Sequence, residues 1–564
     1  MAAVILESSP ATAGAAVLDE AHAGDIHGAL GTIRRGHPTG AGWRSRLLTL
    51  LAIVGPGLIA MVGDNDAGAF GTYTQAGQDY GTTLAWTLLL MIPVLYVNQE
   101  MVVRLGAVTR VGHARLILER FGRFWGAFSI LDLLLLNALT IVTELIGVSL
   151  ALSYLGVPKV PGVVAAAAVI IAAAGTGSFR RFEQVSLLLV FGSVLLLPVL
   201  LWVHPPVAPL VHDLVTPRLP AGGRLSDVML LVIAIVGTTV APWQLFFQQS
   251  YIIDKRITPR FIAYARADLV IGIGIVVAGA VAMIAFTAQA FAGSPAAGHF
   301  TDAGAVAAGI GRYAGHAAGV CFALALIDAS IIGAMAVSLS TAYAIGDLLS
   351  LRHSLHRKPR EARTFYAIYG GLIVIAAVLV LAPGTPLGLL TNAVQTLAGV
   401  LLPSATVFLL LLCNDRAVLG PYVNGPVLNV LTGAIIAGLV ALSLILTASV
   451  VDPDLGAGAI AAVLAGGALA GVVIAGLYLA RADRTRRHRD ETSPPPVSRQ
   501  SRSKPSSCIH RAAAKSAPEW RMPPLGALEP PRVTPLTRVW MMVLRGYLIV
   551  AAGLVLWRIV RLVL

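Results

Sequence analysis

Charge is scarce in this sequence: Asp, Glu, Lys and Arg make up 12% of its 564 residues, against 57% hydrophobic residues. So thin a polar complement cannot wet the surface of a soluble protein of this size, and a mean hydropathy of +0.80 says the same. Lipid is therefore the expected solvent for most of the chain. Cysteine is nearly missing. Cys321, Cys413 and Cys508 are the three present, at no spacing that suggests a metal knuckle, a redox pair or a disulfide framework. The first 46 residues hold Glu7, Asp19, Glu20 and Asp25 and no apolar run long enough for a signal peptide, so a cytoplasmic tail is expected there. The net charge of +13 does not imply nucleic acid, because the basic residues are scattered through joints and tails rather than interleaved with aromatics on one face. No nucleophile, base and orienting group can be assembled from the spacing, so enzymatic activity is not expected either.

What the sequence does have is apolar runs of about 20 residues, the length of a membrane-spanning helix, recurring from Leu47 to Ala480. The expected fold is an all-α integral membrane bundle of about twelve spans. The first runs from Leu47 to Gly71, the third from Phe128 to Leu152, the sixth from Val228 to Ile253 and the tenth from Leu387 to Cys413. Arg110, Arg115, Arg180, Arg181, Lys255, Arg256, Arg357 and Lys358 fall in alternate joints, whereas the others hold little beyond Lys159, Arg218, Arg224 and Arg312. That bias places the N-terminus in the cytoplasm and the chain in the inner membrane. Four regions are expected: the tail 1–46, a transporter core 47–480, a disordered linker 481–536 rich in Arg, Ser and Pro, and an apolar helix 537–564. Arg545, Arg558 and Arg561 interrupt that last helix, leaving an interfacial helix and a short extra span both open.

Hydrophobic helices say nothing about cargo; polar groups at membrane depth do, since a charge there costs on the order of 2.5 to 3.5 kcal/mol. The first span carries Gly55-Pro56-Gly57 and then Gly63-Asp64-Asn65-Asp66-Ala67-Gly68. Two carboxylates, an amide and two glycines read as an unwound midsection that offers backbone carbonyls beside acidic side chains to a cation; the competing reading is an outer turn beginning at Asp64. The sixth span is interrupted at Thr238-Thr239-Val240-Ala241-Pro242-Trp243, where Pro242 removes a backbone donor. One such proline is ordinarily a kink, but two breaks five spans apart are what an inverted repeat of spans one to five and six to ten produces. Glu144 in the third span is either a relay element or a helix-packing partner. Gln395 in the tenth lines the site or bonds across helices. Asp328 receives no role, and Asn98, Gln99, Glu100 and Asp132 are placed near hydrated span ends.

These motifs resemble the natural resistance-associated macrophage protein (Nramp) family of divalent metal transporters from about Gly55 to Asn424. The resemblance is carried by Gly55-Pro56-Gly57 with Asp66, by Gly237 to Ser250, by Gln395 eight residues before Pro403, and by Asn414-Asp415-Arg416-Ala417-Val418-Leu419-Gly420. It implies two inverted five-helix repeats plus peripheral helices, with the ion held by the unwound parts of spans one and six. On that resemblance Asp66, Asn65, Thr238, Ala241 and Gln395 are the expected ligands, and Glu144, Trp243 and Asp64 the expected relay or gating residues. No bound cofactor is implied; the metal is the cargo.

The departures from the family pattern set the expected cargo. Family members typically read Asp-Pro-Gly-Asn in the first span, and here Asp66-Ala67-Gly68-Ala69 keeps the carboxylate and loses the amide. The usual ligand methionine corresponds to Ala241 and the usual histidine to Trp243, while an Asp commonly found three residues before the Glu matched by Glu144 is Ile141. Loss of the thioether removes the preference for soft metals, and the freed volume suits an ion that keeps part of its water. The expected function is import of a divalent cation by alternating access, Mg²⁺ first and Mn²⁺ second, without proton coupling, similar to the Nramp-related magnesium transporters. The alternatives are a proton-coupled Mn²⁺/Fe²⁺ importer using Asp64 and Glu144, and an amino-acid or other organic-solute carrier on the same architecture.

Overall fold

A computed structural model of the chain describes residues 22–34, 42–220, 224–382 and 387–451, with scattered positions between 458 and 553. Long stretches of Leu, Val, Ile and Ala in lipid must satisfy every backbone N–H and C=O internally, and the chain is accordingly helical. The exception is an antiparallel hairpin, β1 (Ile26–Gly28) and β2 (Gly31–Ile33), with Ile26 opposite Ile33. It packs on the helices that follow. The N-terminal residues expected as a tail thus include a folded element.

The first repeat contains α1 (Trp43–Ile53), α2 (Pro56–Val62), α3 (Ala67–Tyr80), α4 (Trp86–Thr109), α5 (His113–Phe121), α6 (Arg123–Tyr154), α7 (Lys159–Gly175), α8 (Phe179–Gly192) and α9 (Leu196–Val203). After α10 (Val207–Val215), the second comprises α11 (Leu225–Thr239), α12 (Pro242–Asp254), α13 (Ile262–Phe291), α14 (Ala303–Tyr313), α15 (His316–Leu348), α16 (Arg363–Leu381) and α17 (Leu387–Asn414). The short α18 (Arg416–Leu419) leads to a peripheral helix, α19 (Pro426–Val451).

The packing reveals the repeat. Spans one and seven meet as α2 and α3 lie along α13, and spans six and two meet as α12 lies along α4. Helix α16 on α6 is matched by α7 on α15, and α17 beside α11 by α8 beside α2, while α6 and α15 pair directly. Exchanging spans one to five with six to ten maps each contact onto another, as inverted five-helix repeats require.

Among the described residues nine helical segments are long and apolar enough to cross a bilayer, ten if α1 and α2 count as one bent span, and α7 is a shorter apolar helix. The expected count of twelve is not reached; the twelfth expected span lies almost wholly outside the described residues, as do the linker and the terminal helix. The first span also differs from expectation. Hydropathy alone starts it at Leu47, but α1 bends away by 53° at a glycine, Gly55, with φ 149°, and the rod that continues through the bundle is α2 plus α3. Helix α3, rich in Gly, Thr and Gln, has little hydropathy because it faces neighbouring helices, and its small residues permit close approach: a Cβ on Gly77 would meet α13 backbone.

Candidate functional site

The two breaks lie where the local sequence cannot continue a helix. In the first, α2 ends at Gly63, the N–H groups of Asp64 and Asn65 bond back to Met61 and Val62, and Asp66 turns extended (φ −80°, ψ −173°) to cap α3. Its Oδ1 accepts from the Ala69 N–H at 2.9 Å. The carbonyls of Gly63, Asp64 and Asn65 receive no backbone N–H among the described residues. In the second, Val240 and Ala241 leave helical geometry and Pro242 opens α12, so the Thr238 carbonyl has no N–H four residues on. Pro242 is therefore the first residue of a new half-helix, not a kink within one. The C-terminal ends of α2 and α11, whose partial charge is negative, both arrive at this level and favour a cation.

Asp64, Asn65 and Asp66 are 1%, 5% and 3% exposed, which removes the reading of an outer turn at Asp64. Glu144 approaches from α6, its Oε2 accepting from the Ala67 N–H at 3.1 Å. A Cβ on Gly333 of α15 would lie 2.9 Å from the Glu144 carboxyl carbon and 3.0 Å from Asp66 Cβ, so both carboxylates press on that glycine. The Gln395 amide rests against Gly68, where an added Cβ would overlap it, and α17 approaches α11 through Gly237 and Gly399. Tyr73 and Thr239 share a hydroxyl hydrogen bond of 2.7 Å that ties α3 to α11, and the Trp243 ring reaches to Gly63. Asp66, Glu144 and Gln395 thus surround the start of α3, and Trp243 and Thr238 belong to the facing break. Asn65 is turned aside, its amide donating to the Val276 carbonyl of α13 at 3.1 Å.

Both oxygens of Asp64, Asn65 Oδ1, Glu144 Oε1, Thr238 Oγ1 and Gln395 Nε2 are buried without a hydrogen-bond partner. Native interiors seldom tolerate this, and here most of the unpaired atoms are oxygens gathered at two helix breaks. Several carboxylates in one dry region repel one another, a cost that a divalent cation offsets. Among the described residues no three His, Cys, Asp or Glu side chains are arranged to hold a metal by themselves. The donor set that fits is one carboxylate with carbonyl, hydroxyl and amide oxygens and retained water, a hard-ion environment. A small pocket lined by Ala67, Gly71, Gly147, Phe300, Asp302 and Asn392 adjoins the start of α3.

Sequence reasoning missed the groups behind the breaks. Asn98 and Gln99, expected at a hydrated span end, are wholly buried within α4, and Gln99 donates to Gln244 Oε1 at 2.8 Å. Glu100 is buried too, holding Arg104 at 3.0 Å and Arg266 at 2.5 Å. Asp132 stands in a pocket with Ser129, Pro242, Phe246 and Ser404, well inside α6. Three adjacent polar residues in a long apolar helix were the available signal for the α4 cluster. Asp328 packs against Gly192 of α8.

The family model for natural resistance-associated macrophage protein-like chains matches residues 57–449. A protein of Burkholderia ambifaria named divalent metal cation transporter MntH is 27% identical over 417 residues, covering 71% of this chain and 89% of the relative. A protein of the same name from Ralstonia nicotianae is 29% identical over 392 residues, 67% of this chain and 86% of the relative. A crystal structure of a mutant Eremococcus coleocola manganese transporter superposes with a TM-score of 0.59 at 20% identity, covering 82% of this chain and 98% of the other, a likeness of fold.

Proposed function

The chain belongs to the natural resistance-associated macrophage protein family of multi-pass membrane proteins, and from that premise we propose that it imports a divalent metal ion by alternating exposure of the site between the two broken helices. The observation that carries this reading is the buried cluster of unpaired oxygens at Asp64, Asn65, Glu144 and Thr238, set around Asp66. Asp66 is the charged ligand, with carbonyls near Thr238 and Ala241 and the Gln395 amide around it. Asn65 is at most a contributor through its free oxygen, because its nitrogen is engaged on α13. The protein sits in the cell membrane with its N-terminus in the cytoplasm, and the membrane potential draws the ion in by about 2.3 kcal/mol per charge per 100 mV.

The relatives support the opposite order of cargo from the one expected from the sequence. Relatives named for divalent metal cation and manganese transport support Mn²⁺ as the first reading, and with it goes proton coupling in which Asp64 and Glu144 take the place of the relay groups lost at Ile141 and Trp243. Both have free carboxylate oxygens at the site, as a proton acceptor needs. Magnesium without protons is the second reading, favoured by the methyl of Ala241 at the break, where no sulfur is offered.

Uptake into proteoliposomes with internal pH recorded separates the two. Mn²⁺ entry with internal acidification supports the first reading, Mg²⁺ entry without a pH change the second. Uptake of an organic solute that is indifferent to metals overturns both.

A further inference from the structure

On the orientation proposed above, the cations of the cytoplasmic side fall into two kinds. Arg104, Arg115, Arg120, Lys255 and Arg266 each hold a carboxylate at 3.0 Å or less. Arg180, Arg181, Lys358, Arg360 and Arg363 are exposed, and among the described residues none of them forms an ion pair with a carboxylate. The positive-inside bias accounts for the side of the membrane on which these five lie. It does not account for their gathering, unpaired, at one joint while the others are matched.

Packing builds that joint. Gly177, between α7 and α8, has φ 60°, and a Cβ on it would lie 2.9 Å from Lys358 Cα and 3.3 Å from the Arg357 carbonyl oxygen, so the loop after α15 rests directly on the α7–α8 turn. In that loop the His356 ring stacks on Phe179, the first residue of α8, with centroids 5.1 Å apart. The Tyr366 hydroxyl donates to the Arg357 carbonyl at 2.7 Å, and the N–H groups of Glu361 and Ala362 return to the Lys358 carbonyl at 2.9 and 3.3 Å, curling the chain into α16. Arg180 and Arg181, in the first turn of α8, therefore share one patch with Lys358, Arg360 and Arg363. Glu361 is the carboxylate within the patch, and its Oε2 accepts from the Lys358 backbone N–H at 3.3 Å. Above the patch α16 lies along α7, where the Tyr369 hydroxyl donates to the Ile170 carbonyl at 3.1 Å. Val169 of α7 and Val374 and Ile375 of α16 are exposed, as side chains facing lipid are.

We propose that the cytoplasmic joint of α7, α8 and α16 is a binding site for an anionic phospholipid, its phosphate held by Arg180, Arg181 and Lys358 and its acyl chains lying on the exposed faces of α7 and α16. Guanidinium groups bind phosphate oxygens two at a time, and Lys358 adds a point charge between them and α16. Arg360 and Arg363 keep the surrounding potential positive, which favours a headgroup of net negative charge over a zwitterionic one. A soluble anion would meet the cations but leave the apolar faces beside them unused, so the lipid is the occupant that fits both. Because α7 and α8 belong to the first repeat and α16 to the second, one bound lipid touches both.

The test uses the full chain in a neutral detergent and needs no transport, so its outcome is independent of the metal-transport reading. The wild type is expected to bind dioleoylphosphatidylglycerol at least tenfold more tightly than dioleoylphosphatidylcholine, and the former is expected to raise its unfolding temperature by about 3 °C more than the latter. Arg180→Gln/Arg181→Gln/Lys358→Gln is expected to lose both preferences while unfolding, without added lipid, within about a degree of the wild type, since all three side chains are exposed. Arg34→Gln/Arg44→Gln/Arg46→Gln removes the same charge from exposed positions near α1 and is expected to keep both preferences. If the first triple variant does not fold, Arg181→Gln and Lys358→Gln are each expected to lower the preference at least threefold. A wild type without the preference overturns the proposal, and so does a preference that survives the substitutions at the joint. Equal losses in the two triple variants overturn it in favour of diffuse attraction to a charged surface. Glycerol phosphate that stabilises the wild type as much as the lipid does overturns it in favour of a small-anion site.

Discussion

Substituting Asp66 tests two roles that the structure gives one side chain, and the choice of replacement separates them. Its Oδ1 caps α3 through the Ala69 N–H at 2.9 Å, so Asp66→Ala removes a helix cap as well as a charge. Loss of a cap costs about 1 kcal/mol. Asparagine caps as well as aspartate, so Asp66→Asn keeps the oxygen, the buried shape and nearly all the stability while removing the charge. For a divalent ion about 4 Å from a unit charge at an effective dielectric of about 20, the attraction is about 8 kcal/mol. If dehydration cancels two-thirds of that, about 2.7 kcal/mol remains, on the order of a hundredfold in affinity. Asp66→Asn is therefore expected to unfold in detergent at the wild-type temperature, within about a degree, and to lose divalent uptake by about two orders of magnitude. Asp66→Ala is expected to lose the same transport and to unfold earlier. Wild-type uptake by Asp66→Asn would refute the ligand role, and equal destabilisation by both variants would refute the capping argument.

Three further expectations follow from the same geometry. Ala241→Met places a thioether at the second break and is expected to shift competition in uptake toward Mn²⁺ and Cd²⁺ over Mg²⁺; an unchanged rank order would remove Ala241 from the selectivity argument. Gly68→Ala drives a methyl into the Gln395 amide, a flexible end that can move, so the protein should fold while uptake falls at least tenfold, and adding Gln395→Ala should recover part of the rate. The third concerns pH. Burial alone would lower the His353 imidazole, but the Asp347 carboxylate at 3.1 Å and the Leu351 carbonyl raise it from 6.5 to about 9. The folded state thus holds this proton more tightly than the unfolded chain. The stabilisation, about 3 kcal/mol at most, is complete below pH 6.5 and is lost as pH rises through 9. Thermal unfolding of the wild type should weaken across that window, and a His353→Gln variant that weakens equally would remove the histidine as the cause.

Much of the site was legible because its residues break rules that the rest of the chain obeys. Asp64 and Asp66 among apolar residues, and Pro242 five spans later, marked both interruptions without any geometry. Glu144 and Gln395 stood out in the same way, and both now lie against α3 or its start. The α4 cluster was misplaced although Asn98 and Gln99 are equally polar. They sit ten or more residues from either end of a 24-residue helix, and hydropathy alone could not locate those ends. Helix α3 was cut short for the opposite reason, since small and polar residues lower its hydropathy while neighbouring helices, not lipid, surround it. Strands of three residues, as in the hairpin, carry no periodicity to detect.

Composition and the spacing of apolar runs by themselves determined a helical membrane protein with two broken spans, because backbone in lipid has few solutions and a carboxylate there is too costly to be incidental. Only the tertiary structure decided which polar atoms remain unpaired. Gln248 and Gln249 are adjacent and chemically identical, yet one is satisfied by the loop before α5 and the other by nothing. Asn65 and Asp66 are likewise adjacent, and one faces α13 while the other caps α3. A hydrogen bond needs a partner within about 3 Å, and which helix supplies that partner is a property of the packing that one-dimensional spacing does not contain.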